Sequence, residues 1–199
     1  MPTVSSTPQP AGKGDRTRDQ ILDVATTWFA ERGFRDTSVS AMARQTGMSP
    51  STVYFHFRDK QALFVAAFDR DSDRLCDAIL ADVQPLASGF WEALLPAFVA
   101  ALPAHPLVQR VMRGMEPGLL GRLVDGGITT RLRTALRASI VAGQHAGDIR
   151  TDLDPDTIAV ALDSILTALI LTMVQAGGVQ YDTRAPAIRT LLAAALGTT

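Results

Sequence analysis

The sequence lacks several features that define other classes of protein. It has one cysteine, Cys76, among 199 residues, so no disulfide can form within the chain and a reducing compartment is expected. No apolar signal core opens the sequence, so we predict no secretion. The longest apolar run, 158–174, contains Asp163 and three hydroxyl residues, short of the roughly 20 apolar residues of a membrane span. We therefore predict a cytoplasmic protein without a membrane segment.

Motifs of catalysis and cofactor binding are also missing. The sequence contains no G-x-S-x-G, G-x-G-x-x-G, P-loop or H-E-x-x-H pattern. His105 and His145 are isolated from other ligand-type residues, which argues against a metal site. A redox-sensing role for Cys76 is the less favoured alternative to a buried thiol. We predict no enzyme activity, no cofactor and no metal.

What the sequence does contain is helical periodicity. No segment alternates with period two, so the predicted fold class is all-α. The predicted helices span roughly 17–33, 39–46, 50–56, 60–83, 88–102, 106–114, 128–146, 155–175 and 186–196. A glycine-rich segment, 115–127, is predicted to be irregular. The predicted organisation is a disordered arm over 1–14, a DNA-binding domain over 15–60, and a ligand-binding and dimerisation domain over 61–199.

The stretch 38–60 has the pattern of a helix-turn-helix. Ser38 and Ser49 are good N-caps, and Gly47 suits the positive φ of a tight turn. Val53 and Phe57 are predicted to face inward, which leaves the hydroxyls and aromatics of 51–56 outward. Hydroxyls at a helix N-terminus can bind phosphates, and the side chains beyond them can reach base edges. The net charge of −1 gives no independent support, so the prediction of DNA binding depends on this local pattern.

The residues from Thr17 to Phe68 resemble the TetR family of bacterial repressors. The similarity is carried by TRDQILDVATTWFAERGF and DTSVSAMARQTGMSPSTVYFHFRDKQALF. It implies a nine-helix dimeric repressor whose first three helices bind DNA and whose larger C-terminal domain binds a ligand. Carried over by position, the DNA-binding residues are Thr37, Ser49 and Tyr54 at phosphates, Ser51, Thr52, Phe55 and His56 near the bases, Pro50 beside them, and Lys60 at the backbone.

One position departs from the family pattern. Phe55 stands where the family often has tyrosine, and a phenyl ring can pack on a thymine methyl but cannot hydrogen-bond a phosphate. The helix 50–56 also has no arginine or lysine. Guanine recognition by a bidentate arginine is therefore not expected from this helix.

Aromatic and methionine side chains of the C-terminal region predict an apolar ligand pocket, although most of them could simply be core. Polar side chains nearby could orient a ligand. The candidate ligand-binding residues are Phe68, Trp91, Phe98, Gln109, Met112, Arg113, Met115, Gln144 and Thr167. The acids of the helix 60–83, Asp69, Asp71, Asp73 and Asp77, are predicted to face water.

The helix 155–175 is apolar nearly all round, so it is predicted to be buried on more than one side. Together with 186–196 it predicts a four-helix homodimer interface, in which small residues such as Ala159, Ala168 and Ala176 allow close approach. The predicted interface residues are Ile158, Leu162, Ile165, Leu166, Leu169, Met173, Ile188, Leu191 and Leu192. The alternative is a monomer with this helix in its own core.

The sequence-based hypothesis is thus a dimeric repressor of a pseudo-palindromic DNA operator, released by a small apolar or amphipathic effector. The alternative is a DNA-binding regulator that is activating or independent of ligand. An enzyme is a remote third possibility because none of the catalytic patterns is present.

Overall fold

The computed structural model describes residues 13–83, 90–177 and 181–197, and these residues form helices and their connections. The all-α prediction is confirmed. In chain order the α-helices are α1 (Lys13–Asp36), α2 (Val39–Gln45), α3 (Pro50–His56), α4 (Lys60–Asp82), α5 (Phe90–Ala101), α6 (Pro106–Met112), α7 (Leu120–Asp125), α8 (Gly127–Ala146), α9 (Pro155–Gln175) and α10 (Tyr181–Leu196). Short 3-10 turns at Leu102–Ala104 and Pro117–Leu119 precede α6 and α7.

Within these residues, the nine helices of seven residues or more correspond to the nine predicted ones. The segment predicted to be irregular contains the 3-10 turn and the six-residue α7. Two predicted starts are wrong. Helix α1 begins at Lys13 rather than at Thr17, so the last two residues of the predicted arm are helical and the other twelve lie outside the described residues. Helix α10 begins at Tyr181 and continues through Pro186.

Local chemistry fixes several helix ends as predicted. The hydroxyls of Ser38 and Ser49 accept from the amides of Ala41 and Thr52, at 3.3 and 3.1 Å. The Asp59 carboxylate accepts from Ala62 N at 2.7 Å at the start of α4. Such caps satisfy backbone amides that have no partner within the first turn. Gly147 ends α8 with a φ of 84°, a left-handed conformation that favours glycine.

The chain divides after Ala67 into two compact units. The core of the first unit is built on three phenyl rings, with the Phe29 and Phe34 centroids 4.8 and 5.1 Å from that of Phe64. Phe34 reaches this cluster because Gly33 turns the chain with a φ of 78°. Trp28 is half-buried, and its indole N–H donates to Gln45 Oε1 at 3.0 Å, joining α1 to α2.

The second unit contains most of α4 and the helices α5 to α10. Its most extensive helix contact is α8 against α9, and the short α6 and α7 pack against each other, with α6 also against α9 and α7 against α8. Leu107, Leu119 and Leu136 are among its fully buried side chains. The end of α10 is fixed to the α8–α9 connection by a hydrogen bond from Arg150 N to Leu196 O at 2.9 Å.

Candidate DNA-binding surface and internal cavity

The turn between α2 and α3 holds α3 by one face and exposes the other. Gly47, with a φ of 68°, allows the tight reversal after α2. Val53 and Phe57 are 1% and 5% exposed, so they anchor α3 to the core as the sequence predicts. On the opposite face, Tyr54 is 47% and Phe55 85% exposed. A seven-residue helix therefore presents two aromatic rings to solvent.

Three hydroxyls are gathered at the start of α3. Ser49 Oγ shares hydrogen bonds with Ser51 Oγ at 2.7 Å and with Thr52 Oγ1 at 2.8 Å. Pro50, the first residue of the helix, has no N–H to donate. At the other end, the Phe55 ring meets the half-buried His56 ring edge-on, with centroids 5.3 Å apart. The outward face thus combines small hydroxyls, two rings and an imidazole.

Thr37 does not belong to this exposed surface. Its side chain is 2% exposed, and its hydroxyl donates to Gly33 O at 2.8 Å, with Trp28 O 3.2 Å away. The hydroxyl therefore satisfies the Gly33 carbonyl near the end of α1. This geometry counts against the predicted contact between the Thr37 side chain and a phosphate.

Lys60 has a structural partner that sequence reasoning missed. Its Nζ donates to Arg35 O at 3.1 Å and lies 4.7 Å from the centroid of the Phe34 ring. Both interactions suit a cation near the C-terminal end of a helix and over an aromatic face. The side chain stays partly exposed, so two of its three N–H donors can still reach another group.

The second unit contains a small apolar cavity, partly open to solvent and lined by residues of α4 to α9. Its volume is about 60 Å³, and its wall is mostly aliphatic. Three predicted ligand-binding residues line it, namely Phe98, Met112 and Thr167. The other polar residues of the wall are Thr129, whose hydroxyl donates to Leu123 O at 2.8 Å, and Asp163.

The remaining predicted ligand residues lie elsewhere. Gln109 donates from Nε2 to Leu102 O at 2.9 Å and accepts from the exposed Arg113. Met115 is 53% exposed. Gln144 donates to two carbonyls of the α8–α9 connection, Arg150 O and Leu153 O, both at 2.9 Å. None of these residues lines the cavity, so their contact with a ligand stays a prediction.

Two aromatic candidates complete that set. Phe68 is buried and lines a different, more polar pocket of about 220 Å³ beside Asp69 and Ser72. The side chain of Trp91 lies outside the described residues.

Asp71 is buried, contrary to the prediction that it faces water. Only 5% exposed, it accepts from the amides of Leu107 and Val108, both at 3.1 Å, and from His105 Nδ1 at 2.9 Å. The carboxylate of α4 therefore caps the first turn of α6, where a negative charge is favoured. The other acids do face solvent, with Asp69 paired to Arg122 and Asp77 to Arg131.

Most residues predicted for the dimer interface are already covered within the single chain. The set that is 9% exposed or less consists of Ile158, Leu162, Leu166, Leu169, Met173 and Leu192. Five of these side chains lie on α9 and Leu192 lies on α10, and all six are covered by other residues of the same chain. Ala159 is buried for the same reason. Ile165 and Ile188 are partly exposed, and Leu191 is 67% exposed.

The chain is similar in sequence to known bacterial regulators. The model of a family described as bacterial regulatory proteins, tetR family, matches residues 21–67, which includes α2 and α3. The HTH-type transcriptional repressor Rv1474c of Mycobacterium tuberculosis is 43% identical over 154 residues, covering 77% of this chain and 80% of that protein. The chain belongs to the tetR family. The repressor AcnR of Corynebacterium diphtheriae is 25% identical over 186 residues, covering 89% and 88%.

Solved structures of tetR-family regulators share the whole fold. A regulator from Mesorhizobium loti superposes with a TM-score of 0.73 at 22% identity, covering 94% of this chain and all of that one (100%). A second, from Pectobacterium atrosepticum, has a TM-score of 0.70 at 20% identity, covering 92% and 96%. At these identities the similarity establishes the fold class, including the helices beyond the DNA-binding unit.

Helix α9 is unusually apolar for its length. By length and hydropathy alone it meets the test for a membrane span, with a mean hydropathy of 2.1 over Pro155–Gln175. The segments Ala93–Ala104 and Pro106–Met112 meet it only if counted together across a 113° bend. A core helix of a water-soluble protein passes the same test. Here the face of α9 toward α8 carries Asp163, paired with Arg133 at 2.9 Å.

Two further features concern chemistry. Among the described residues, no group of three or more His, Cys, Asp or Glu side chains could hold a metal ion.

Cys76 is fully buried in α4, and burial raises the pKa of its thiol because the thiolate would lose its hydration. A protonated, inaccessible thiol fits a structural role for this residue.

Proposed function

We propose that this protein is a cytoplasmic, homodimeric transcriptional repressor that places α3 in the DNA major groove. The observation that carries the proposal is the exposed face of α3, with Tyr54 and Phe55 turned to solvent beside three hydroxyls. Such a surface is costly in a water-soluble protein unless a partner covers it. The tetR-family relatives Rv1474c and AcnR are transcriptional repressors, which supports repression and gives no reason to propose catalysis.

The proposed contacts divide by chemistry. Ser49, Ser51, Thr52 and Tyr54 have O–H groups that can donate to phosphate oxygens and fix the register. Phe55 is placed to pack on a thymine methyl, and His56 to meet a base edge. Because α3 has no arginine or lysine, we expect base selection to depend on apolar contacts and DNA geometry more than on charged readout.

The proposed dimer uses the outward faces of α9 and α10. Along α9 the exposed residues recur at helical spacing, as Val160, Ser164, Ala168 and Thr172. Val160 is 49% and Leu191 67% exposed, so both aliphatic side chains are accessible to a partner. Small neighbours would let a second α9 approach closely, and two-fold symmetry would pair each face with itself. A dimer would then present two α3 helices to two half-sites of a pseudo-palindrome.

The proposed effector site is the cavity of the second unit. At about 60 Å³ it is far below the roughly 300 Å³ of an ordinary ligand pocket, so a ligand must displace its walls. Helix α4 contributes Ile79 to the wall and runs without interruption from the first unit into the second. A ligand that fits only the expanded cavity would favour a different setting of α4 and release DNA, through its differential affinity for the two states.

The test is selection of DNA from a random pool by the purified full chain, followed by footprinting. The expected result is a protected pseudo-palindrome whose half-sites lie about one helical turn or a simple multiple apart. Tyr54→Ala should weaken operator binding by roughly tenfold or more, while Thr27→Ala, an exposed change on α1, should leave it unaltered. Selection of no sequence would refute the proposal. Reporter transcription that rises with the protein would favour the activating alternative.

A further inference from the structure

The polar groups of the cavity are concentrated on one helix. Asp163 and Thr167 both line the cavity and are separated by one turn of α9. The third polar residue of the wall, Thr129, already donates its hydroxyl to Leu123 O at 2.8 Å. The polar end of an otherwise apolar cavity is therefore made by a carboxylate and a hydroxyl.

These two groups have unused hydrogen-bonding capacity. Arg133 donates two hydrogen bonds to Asp163, and both end on the same oxygen, Oδ2. They come from Nε at 3.2 Å and from Nη2 at 2.9 Å. In the part of the chain that the structure describes, neither Asp163 Oδ1 nor the Thr167 hydroxyl makes a hydrogen bond. A ligand head group could thus find two oxygens one turn apart, of which one is anionic.

The charge distribution around Asp163 makes this side of the cavity negative. The Asp163 side chain is 12% exposed and lines the cavity, whereas Arg133 is 37% exposed and lies in a surface groove between α8 and α9. The negative end of the ion pair is therefore the end nearer the cavity. Beside an otherwise apolar wall this favours a hydrogen-bond donor or a cation and disfavours a carboxylate.

We propose that the cavity binds a compact apolar amine, whose protonated head donates to Asp163 Oδ1 and Thr167 Oγ1 while its hydrocarbon part fills the aliphatic end. An ammonium group has three donors, enough for both oxygens at once. An alcohol of the same shape can serve only one acceptor and carries no charge, and a carboxylate would face Asp163 with the same sign. The proposal depends on the proposed function only in taking this cavity to be the effector site.

The size of the cavity restricts the ligand. A dry cavity of about 150 Å³ accommodates one benzene molecule, and the present one has a volume of about 60 Å³. A short chain or a single ring, accompanied by a shift of side chains, is the scale that fits. The probes are accordingly linear amines of four to eight carbons, with the alcohols and carboxylates of equal length.

The test measures binding of each probe to the full chain by calorimetry, together with four variants. Asp163→Asn and Thr167→Val alter the proposed head-group site. Asp156→Asn on α9 and Thr134→Val on α8 are matched controls, since Asp156 is an exposed partner of Arg137 and the exposed Thr134 hydroxyl donates to Thr130 O at 2.9 Å. Thermal unfolding checks that each variant is folded.

The expected order is amine, then alcohol, then carboxylate, with the amine about tenfold tighter than the alcohol. Asp163→Asn should reduce that amine-to-alcohol ratio to near one, and Thr167→Val should lower amine affinity several-fold, whereas neither control should change it. Because the readout is a ratio within one variant, a general loss of stability does not mimic it. Tighter binding of the carboxylate, a ratio unchanged in Asp163→Asn, or no binding of any amine would overturn the proposal.

A separate measurement distinguishes this proposal from the function on which it depends. The same amines are added to the complex of the protein with its selected DNA. Amines that bind in the expected order and release DNA support both proposals. Amines that bind in that order without releasing DNA support the ligand class and contradict the effector role of the cavity.

Discussion

Replacing Asp71 with alanine should destabilise the protein by about 3–5 kcal/mol, because it removes the acceptor of several buried hydrogen bonds. The carboxylate accepts from two backbone amides at the start of α6 and from His105, and it is only 5% exposed. Its loss leaves two amide N–H groups without an acceptor in a region where Leu107 and Val108 are fully buried. Each unsatisfied buried donor costs about 1–3 kcal/mol.

Urea unfolding of the full chain, followed by circular dichroism at one fixed protein concentration, measures this loss. Asp71→Asn keeps one acceptor oxygen and should fall between wild type and Asp71→Ala. Asp77→Ala is the matched control, because Asp77 lies on the same helix with a side chain 65% exposed and pairs with Arg131 at the surface. That control should cost less than about 1 kcal/mol. A free energy of unfolding for Asp71→Ala within about 1 kcal/mol of the wild-type value would contradict this account of Asp71.

Three further outcomes are expected. Lys60→Met keeps the packing on Phe34 but removes the charge, so the slope of log affinity for DNA against log salt concentration should become shallower by about 0.9. A lower melting temperature with an unchanged slope would show that Lys60 stabilises α1 and does not contact DNA. Thr37→Val should lower the free energy of unfolding measured in urea by about 1–3 kcal/mol, because the α1 carbonyl loses its hydroxyl donor. Thr37→Ser keeps the hydroxyl and should stay near wild type, and equal stability of the two variants would argue against a capping role for Thr37. The Cys76 thiol should react with Ellman's reagent only as fast as the protein unfolds, and rapid labelling of the folded chain would contradict its burial.

Much of the first unit could be predicted from sequence because its determinants are local. Ser38, Ser49 and Asp59 start helices through bonds to amides three residues away, a spacing that the sequence displays directly. Gly47 marks a turn because other residues rarely adopt its φ of 68°. The inward Val53 and Phe57 follow from helical spacing and the end of α3.

The candidate contacts were harder to predict because long-range partners decide the environment of each side chain. Asp71 stands in a row of acids that suggests exposure to water, yet residues more than thirty positions away form hydrogen bonds with its carboxylate. Thr37 has the exposed character of a loop hydroxyl in sequence but caps α1. Helix α9 is apolar all round, so periodicity could not distinguish Leu162 in the core from Val160 at the surface.

The most direct test of the central claim is photo-crosslinking from α3 itself. With Phe55 replaced by p-benzoylphenylalanine, irradiation of the complex with the selected DNA should yield adducts to bases at corresponding positions of both half-sites. The same photoreactive residue at Val160, on the outward face of α9, should yield adducts between protein chains and none to DNA. A protein that protects its operator but crosslinks to DNA from position 160 and not from position 55 would contradict the assignment of α3 as the helix that enters the groove.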